Sequence, residues 1–281
     1  MVVADAIRPR GPYSLALTAE WAGDATRRVR DGVLTCALPG GACAAAWQRP
    51  DGRVVVRATG EEALARMRFV LALEDDHSEF LRRFRADELL GPSTSRLRGL
   101  RPLRVATVVQ ALLRAFCGQL IDSKTARDLE RRIVRAATPA ATAPGLHEPP
   151  DARQLAAFAP ARLRALGLHA RRAAALVRLC GGPDPERLHG APTAAVAALL
   201  ERERGLGPWS AGVVCLEGLG RYEHGLVGDL GLVKLVAALR GRRVEAWETG
   251  ELLARYGEWA GLASVYLLKG WARGLMPVPR A

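Results

Sequence analysis

The stretch with the most chemical content runs from Thr193 to Val233, TAAVAALLERERGLGPWSAGVVCLEGLGRYEHGLVGDLGLV. A helical run leads into Gly205-Leu206-Gly207, a second helix opens at Pro208, and one acid follows in Gly228-Asp229-Leu230-Gly231-Leu232. Glycines at a tight turn permit positive φ and leave neighbouring N–H groups uncovered. Proline fits the first helical position, where its missing N–H has no partner to lose. Bare amides at a helix start suit a phosphate. Gly205, Gly207 and Ser210 therefore read as a hairpin that holds a phosphodiester backbone through amides and a hydroxyl. An Asp before a helix reads first as a cap for the helix starting near Leu230. Its other use is to stabilise positive charge in a transition state, and the two uses are compatible.

The hairpin Gly205-Leu206-Gly207-Pro208-Trp209-Ser210-Ala211 with Asp229 beyond it resembles the helix-hairpin-helix DNA glycosylase superfamily. Within that superfamily it looks most like the bacterial 3-methyladenine DNA glycosylase II, or alkylation-repair, family. The resemblance implies a base-excision enzyme that flips a damaged base from double-stranded DNA and hydrolyses its N-glycosidic bond. Asp229 would then stabilise the oxocarbenium-like charge on the sugar and orient the attacking water. Relatives that also cut the backbone carry a lysine at the position of Trp209, for a Schiff base with the sugar. Lys124, Lys234 and Lys269 all lie elsewhere, so the resemblance implies a monofunctional enzyme with Trp209 as a wall of the base pocket.

The same resemblance assigns further residues. Gln119-Leu120 falls at the break between two helices, where the family inserts a wedge into the duplex. Hairpin carbonyls in the family hold a monovalent cation, which here would involve Glu201, Glu203 and Leu206; no side chain supplies a metal site and no organic cofactor is implied. The chain departs from the family at Arg204, usually proline, and at Gly228, often a second acid. Pocket aromatics are replaced by Val213 and Leu268, which leaves fewer faces for stacking on an electron-poor base. A pocket for a deaminated or oxidised base therefore stays open beside the alkylated purine. So does a protein that binds damaged DNA without cleaving it, against which the presence of Asp229 argues.

Composition agrees with a polyanionic partner. The 281 residues carry a net charge of +12 and a pI near 10.4, although an Arg-rich chain also reflects base composition. Cys36, Cys43, Cys117, Cys180 and Cys215 are odd in number and scattered, fitting neither a zinc site nor an iron–sulfur loop. They read as reduced thiols in a cytoplasmic protein, expected to act as a monomer. No apolar run is long enough for a membrane span, and MVVADAIRPRGPY has no signal-peptide core.

The elements that must position these residues divide the chain into an α+β arrangement. Residues 1–10 read as a loose tail, and 11–90 as a small antiparallel α+β domain. Its strand signals are Tyr13–Leu17, Gly32–Leu38 and Arg53–Arg57, the last two beside Asp-Gly turns. Helical spacing follows over Glu61–Leu73 and Ser78–Phe84. Residues 91–281 read as the all-α helix-hairpin-helix core, interrupted by a Pro-rich linker at about 138–150. Within it Ser123 is expected to cap a helix, and others are expected around Ala246–Tyr256 and Leu262–Trp271.

Overall fold

The computed structural model describes residues 1–119 and 122–277. Its first layer is a five-stranded antiparallel sheet in the order β1-β5-β4-β3-β2, built from β1 (Val3–Ile7), β2 (Arg27–Arg30), β3 (Val33–Ala37), β4 (Cys43–Gln48) and β5 (Val54–Ala58). Strand alternation explains the layer: Val54, Val56 and Ala58 face inward while Arg57 faces solvent. The inward face of β4 carries Ala44 and Ala46 ahead of Gln48, and these small side chains make room for a covering helix, α2 (Glu61–Val70). Leu64, Met67 and Val70 of α2 fill that space.

Two expectations for this layer are corrected. Residues 1–10 are no loose tail: Val3–Ile7 adds an edge strand, with Ile7 opposite Val54. Tyr13–Leu17 is no strand but leads into α1 (Leu15–Ala19), because the Ser14 hydroxyl accepts Leu17 N–H at 3.3 Å. The Gln48 amide oxygen also takes Leu15 N–H at 2.9 Å, so capping outweighs the alternating pattern.

The second layer is helical: α3 (Ser78–Arg83), α4 (Leu90–Arg96), α5 (Val108–Gly118), α6 (Ser123–Ala137), α7 (Ala152–Ala156), α8 (Pro160–Ala165), α9 (Ala170–Gly181), α10 (Thr193–Arg202), α11 (Pro208–Val213), α12 (Leu230–Arg240), α13 (Glu248–Ala254) and α14 (Ala260–Ala272). Phe80 and Phe84 pack with this helical core, so the apolar division of the chain falls before residue 90. Asp122, not Ser123, caps α6, accepting Lys124 and Thr125 N–H at 3.0 Å. The linker folds back on the sheet layer, where His147 N–H donates to the Ala25 carbonyl at 2.8 Å.

Helix α5 is the axle. Nearly every side chain from Val108 to Cys117 is buried, and α6, α9 and α11 pack around it. Its one charged residue, Arg114, joins three carboxylates: Asp24 ahead of β2, Glu130 on α6 and Glu217 in the turn after α11, at 2.7, 3.0 and 2.5 Å. Burial works against ionising Asp24, but Arg27, Arg114 and the Thr26 hydrogen bonds override it and hold its carboxyl below the usual range. At Glu130 burial outweighs the Arg114 contacts and, with the Asp24 charge nearby, pushes its carboxyl up. The cluster fixes the sheet layer to the helices that carry the hairpin.

Candidate DNA-binding and catalytic site

The hairpin forms where the sequence places it. Helix α10 gives way to extended backbone at Glu203, Gly205 takes φ +100°, and Leu206 N–H closes on the Glu203 carbonyl at 3.0 Å. Helix α11 then starts with Pro208 in its first turn and Gly207 as its cap residue. A Cβ built on Gly205 or Gly207 would meet no atom within 4 Å, so both backbones face open space. Leu206 between them is buried and anchors the turn. Such a turn offers amides to an anion while its apolar member holds it to the core.

Helix α11 runs into a π-helical turn over Val214–Gly218, closed by Leu219 N–H on the Val214 carbonyl at 3.0 Å. The chain then loops back toward the hairpin. Gly212 lets α11 approach that loop closely, since a Cβ there would lie 2.5 Å from the Gly225 carbonyl oxygen. The return segment ends at Asp229, which caps α12: one carboxylate oxygen accepts Gly231 N–H at 2.8 Å and Leu232 N–H at 3.3 Å. Its other oxygen accepts the indole N–H of Trp209 at 3.1 Å. Cap and hairpin aromatic thus converge on one half-buried acid.

Trp209 reaches Asp229 because Gly118, at the end of α5, has no side chain. A Cβ at Gly118 would lie 2.5 Å from the Trp209 ring. On the other side Leu268 of α14 reaches over the start of α12, where a Cβ at Gly231 would lie 2.5 Å from its δ-methyl. Trp209, Leu268 and the backbone at Gly231 therefore surround Asp229. Val213 is buried at the end of α11, in the core beneath this arrangement.

Gly228 shows why no second acid precedes Asp229 here. It has φ +85°, its N–H donates to the Thr249 hydroxyl at 2.7 Å, and a Cβ would stand 3.5 Å from Ala246 Cβ. An L-residue there meets backbone strain. Thr249 thereby ties the Asp229 loop to α13, a partnership that no local pattern signals.

Gln119 is placed differently from the expected wedge. Its amide turns back into the hairpin and donates to the Gly205 carbonyl at 2.6 Å and to the Ser210 hydroxyl at 2.9 Å. Ser210 is buried, and its hydroxyl oxygen accepts from Gln119. The Gln119 carbonyl in turn accepts from Arg172 at 3.0 Å, an Arg missed as a brace because its partner lies on another helix. Leu120, the proposed wedge itself, lies outside the described residues. His224 sits at the start of α11, its ring 3.2 Å from the Pro208 carbonyl and 3.7 Å from Glu201, so its described partners are the hairpin helices. No group of three or more His, Cys, Asp or Glu among the described residues has the arrangement of a metal site, and no described helix is long and apolar enough to cross a membrane.

A five-stranded antiparallel sheet packed on a helical core, with a glycine hairpin beside a capping acid, matches the helix-hairpin-helix glycosylase fold. Solved structures carry the same fold, two of them over nearly the whole chain. The 3-methyladenine DNA glycosylase from Archaeoglobus fulgidus superposes with a TM-score of 0.82 at 22% identity, covering 95% of this chain and 97% of that one. The Clostridium acetobutylicum 8-oxoguanine glycosylase/lyase, in complex with DNA containing cytosine opposite 8-oxoguanine, gives 0.79 at 17% identity, covering 98% of each chain. A DNA-3-methyladenine glycosidase from Bacillus halodurans gives 0.52 at 21% identity, over 69% of this chain and 89% of that one. The sequence matches no family model and no curated protein.

Proposed function

We propose that this protein is a monofunctional DNA glycosylase of base excision repair, which extrudes a damaged purine from duplex DNA and hydrolyses its N-glycosidic bond. The observation that carries the reading is the Trp209–Asp229 hydrogen bond at 3.1 Å, next to a hairpin whose glycines face open space. The open amides suit the backbone beside the lesion, and the carboxylate suits the positive charge that grows on the deoxyribose as the base leaves. An alkylated base already carries positive charge and departs without a strong acid. Trp209 supplies an aromatic wall for such a base and occupies the place where lyase chemistry needs an amine. The product is an abasic site, with the strand intact.

Leu120 belongs to this proposal as the residue that fills the gap left by the extruded nucleotide. So does a monovalent cation on the carbonyls of Glu201, Glu203 and Leu206. The Glu203 carbonyl already accepts Leu206 N–H at 3.0 Å and keeps a second lone pair for such an ion. When bound it would add positive charge beside the phosphate.

A second reading, excision of a deaminated or oxidised base, is supported by the scarcity of aromatic walls: Leu268 lines the site and Val213 is withdrawn into the core. Single-turnover assays on duplexes carrying 3-methyladenine, hypoxanthine or 8-oxoguanine separate the readings, with abasic sites and strand breaks scored apart. Release of 3-methyladenine without strand breaks is expected. Release of only the other bases would favour the second reading, and binding with no abasic product would leave a damage-binding protein.

A further inference from the structure

Trp247 is the most exposed tryptophan in the described chain, with 63% of its surface open to solvent. It stands at the end of the segment 241–247 between α12 and α13, and nothing in the hydrophobic core covers it. The segment is nevertheless held firmly. Glu248, immediately after Trp247, is buried and takes hydrogen bonds from Arg240, from Arg242 at 2.6 Å and from Glu245 N–H at 2.7 Å. The backbone that carries the indole is therefore ordered before any contact is made, which lowers the entropy lost on binding.

Its position is equally specific. Thr249, two residues on, holds the N–H of Gly228, and Ala246, one residue before, lies against Gly228. Gly228 directly precedes Asp229, so Trp247 lies on the rim of the candidate catalytic site. On the same rim Leu230, in the first turn of α12, is 46% exposed. Lys234, one turn further along α12, and Arg243 are exposed and form no ion pair among the described residues. An exposed aromatic on a surface segment that also carries an exposed arginine fits a polyanion that also has flat, stackable faces, which is a nucleic acid strand.

We propose that Trp247 is a DNA contact, packing its indole against the deoxyribose and base edge of the nucleotide next to the extruded one, while Arg243 meets the adjoining phosphate. This rests on the proposed glycosylase reading and extends its contact surface past the hairpin to the far side of Asp229. The lesion strand is thereby held at the hairpin amides and at Trp247, with the reacting sugar between them.

The test is fluorescence-anisotropy titration of the full chain with duplexes carrying an abasic-site analogue or no lesion, at two salt concentrations. Trp247→Ala should weaken binding of the abasic duplex by roughly tenfold, the scale of one lost stacking contact, with the salt slope unchanged. Trp247→Phe should recover most of the loss. Arg243→Ala should reduce the salt slope by about one. Thermal unfolding of each variant should match the parent, since the indole is exposed. Equal affinity of parent and Trp247→Ala would overturn the contact while leaving the glycosylase reading intact. A parent that binds neither duplex would overturn both. Loss of self-association in Trp247→Ala with unaltered DNA binding would make the indole an interface between copies instead.

Discussion

Trp209 donates its indole N–H to one oxygen of Asp229, 3.1 Å away, while the other oxygen of that carboxylate is committed to two amides of α12. One acid therefore orients the hairpin's aromatic ring and starts a helix. Donors on both oxygens fix the plane of the carboxylate before any substrate arrives, which is the preorganisation that transition-state electrostatics requires.

The dual role separates in Asp229→Asn. Asn caps helices about as well as Asp, but its NH2 cannot accept the Trp209 N–H, so the variant should fold with about 1 kcal/mol less stability and bind abasic duplex like the parent. Excision should fall by roughly 100- to 1,000-fold with the loss of charge stabilisation. Asp229→Ala should in addition lose about 1 kcal/mol of stability through the missing cap. Full excision by the Asn variant would remove Asp229 from the mechanism.

Gly118 sets the distance between Trp209 and the acid. In Gly118→Ala the new methyl must displace the ring, because its Cβ would lie 2.5 Å from the indole. Overpacking of this kind costs about 1–3 kcal/mol, and excision should drop by roughly tenfold as the N–H leaves Asp229. Unfolding curves and single-turnover rates measure the two effects separately. A variant with parental rate and stability would show that the ring has room to spare.

Placing a second acid before Asp229 should not raise the proposed excision activity. Gly228→Asp puts a side chain at φ +85° and should cost about 1 kcal/mol of stability from the left-handed backbone. Excision should fall or stay level as the Thr249 bond to the Gly228 amide loosens. Higher activity at parental stability would mean that the loop tolerates the residue.

His77 gives the fold a sensitivity to acid. It is 2% exposed, and burial, reinforced by Arg101 and only partly offset by Asp75, lowers its imidazole to about 4. Below the unfolded value near 6.5 the unfolded chain takes up a proton that the folded chain refuses. Stability should therefore decline as pH falls from about 6.5 to about 4, by an amount on the order of 3 kcal/mol, and level off below. His77→Phe, which keeps the ring against Tyr222, should flatten that decline in urea titrations across pH. An unchanged slope would assign the acid sensitivity to other groups.

The hairpin, the start of α11 and the cap at Asp229 were legible in the sequence because each depends on neighbours a few residues away. Gly205, Gly207, Pro208 and Asp229 state their conformations locally. The partners of those residues were not legible: Gly118 for Trp209, Thr249 for Gly228 and Gln119 for Gly205 all join distant segments. The edge strand Val3–Ile7 was hidden for the same reason, since β5 creates it. The strand Cys43–Gln48 was hidden by its alanines, which have little strand propensity of their own and are chosen by the helix above them.

Arg114, clasped by Asp24, Glu130 and Glu217, leaves the two layers little freedom to hinge. On the proposed function the compliance needed for base extrusion must then come from the duplex. Such a protein acts as a stiff anvil, and the elastic softness of a damaged step becomes part of what it measures. Lesions that weaken stacking would be favoured before their chemistry is ever read.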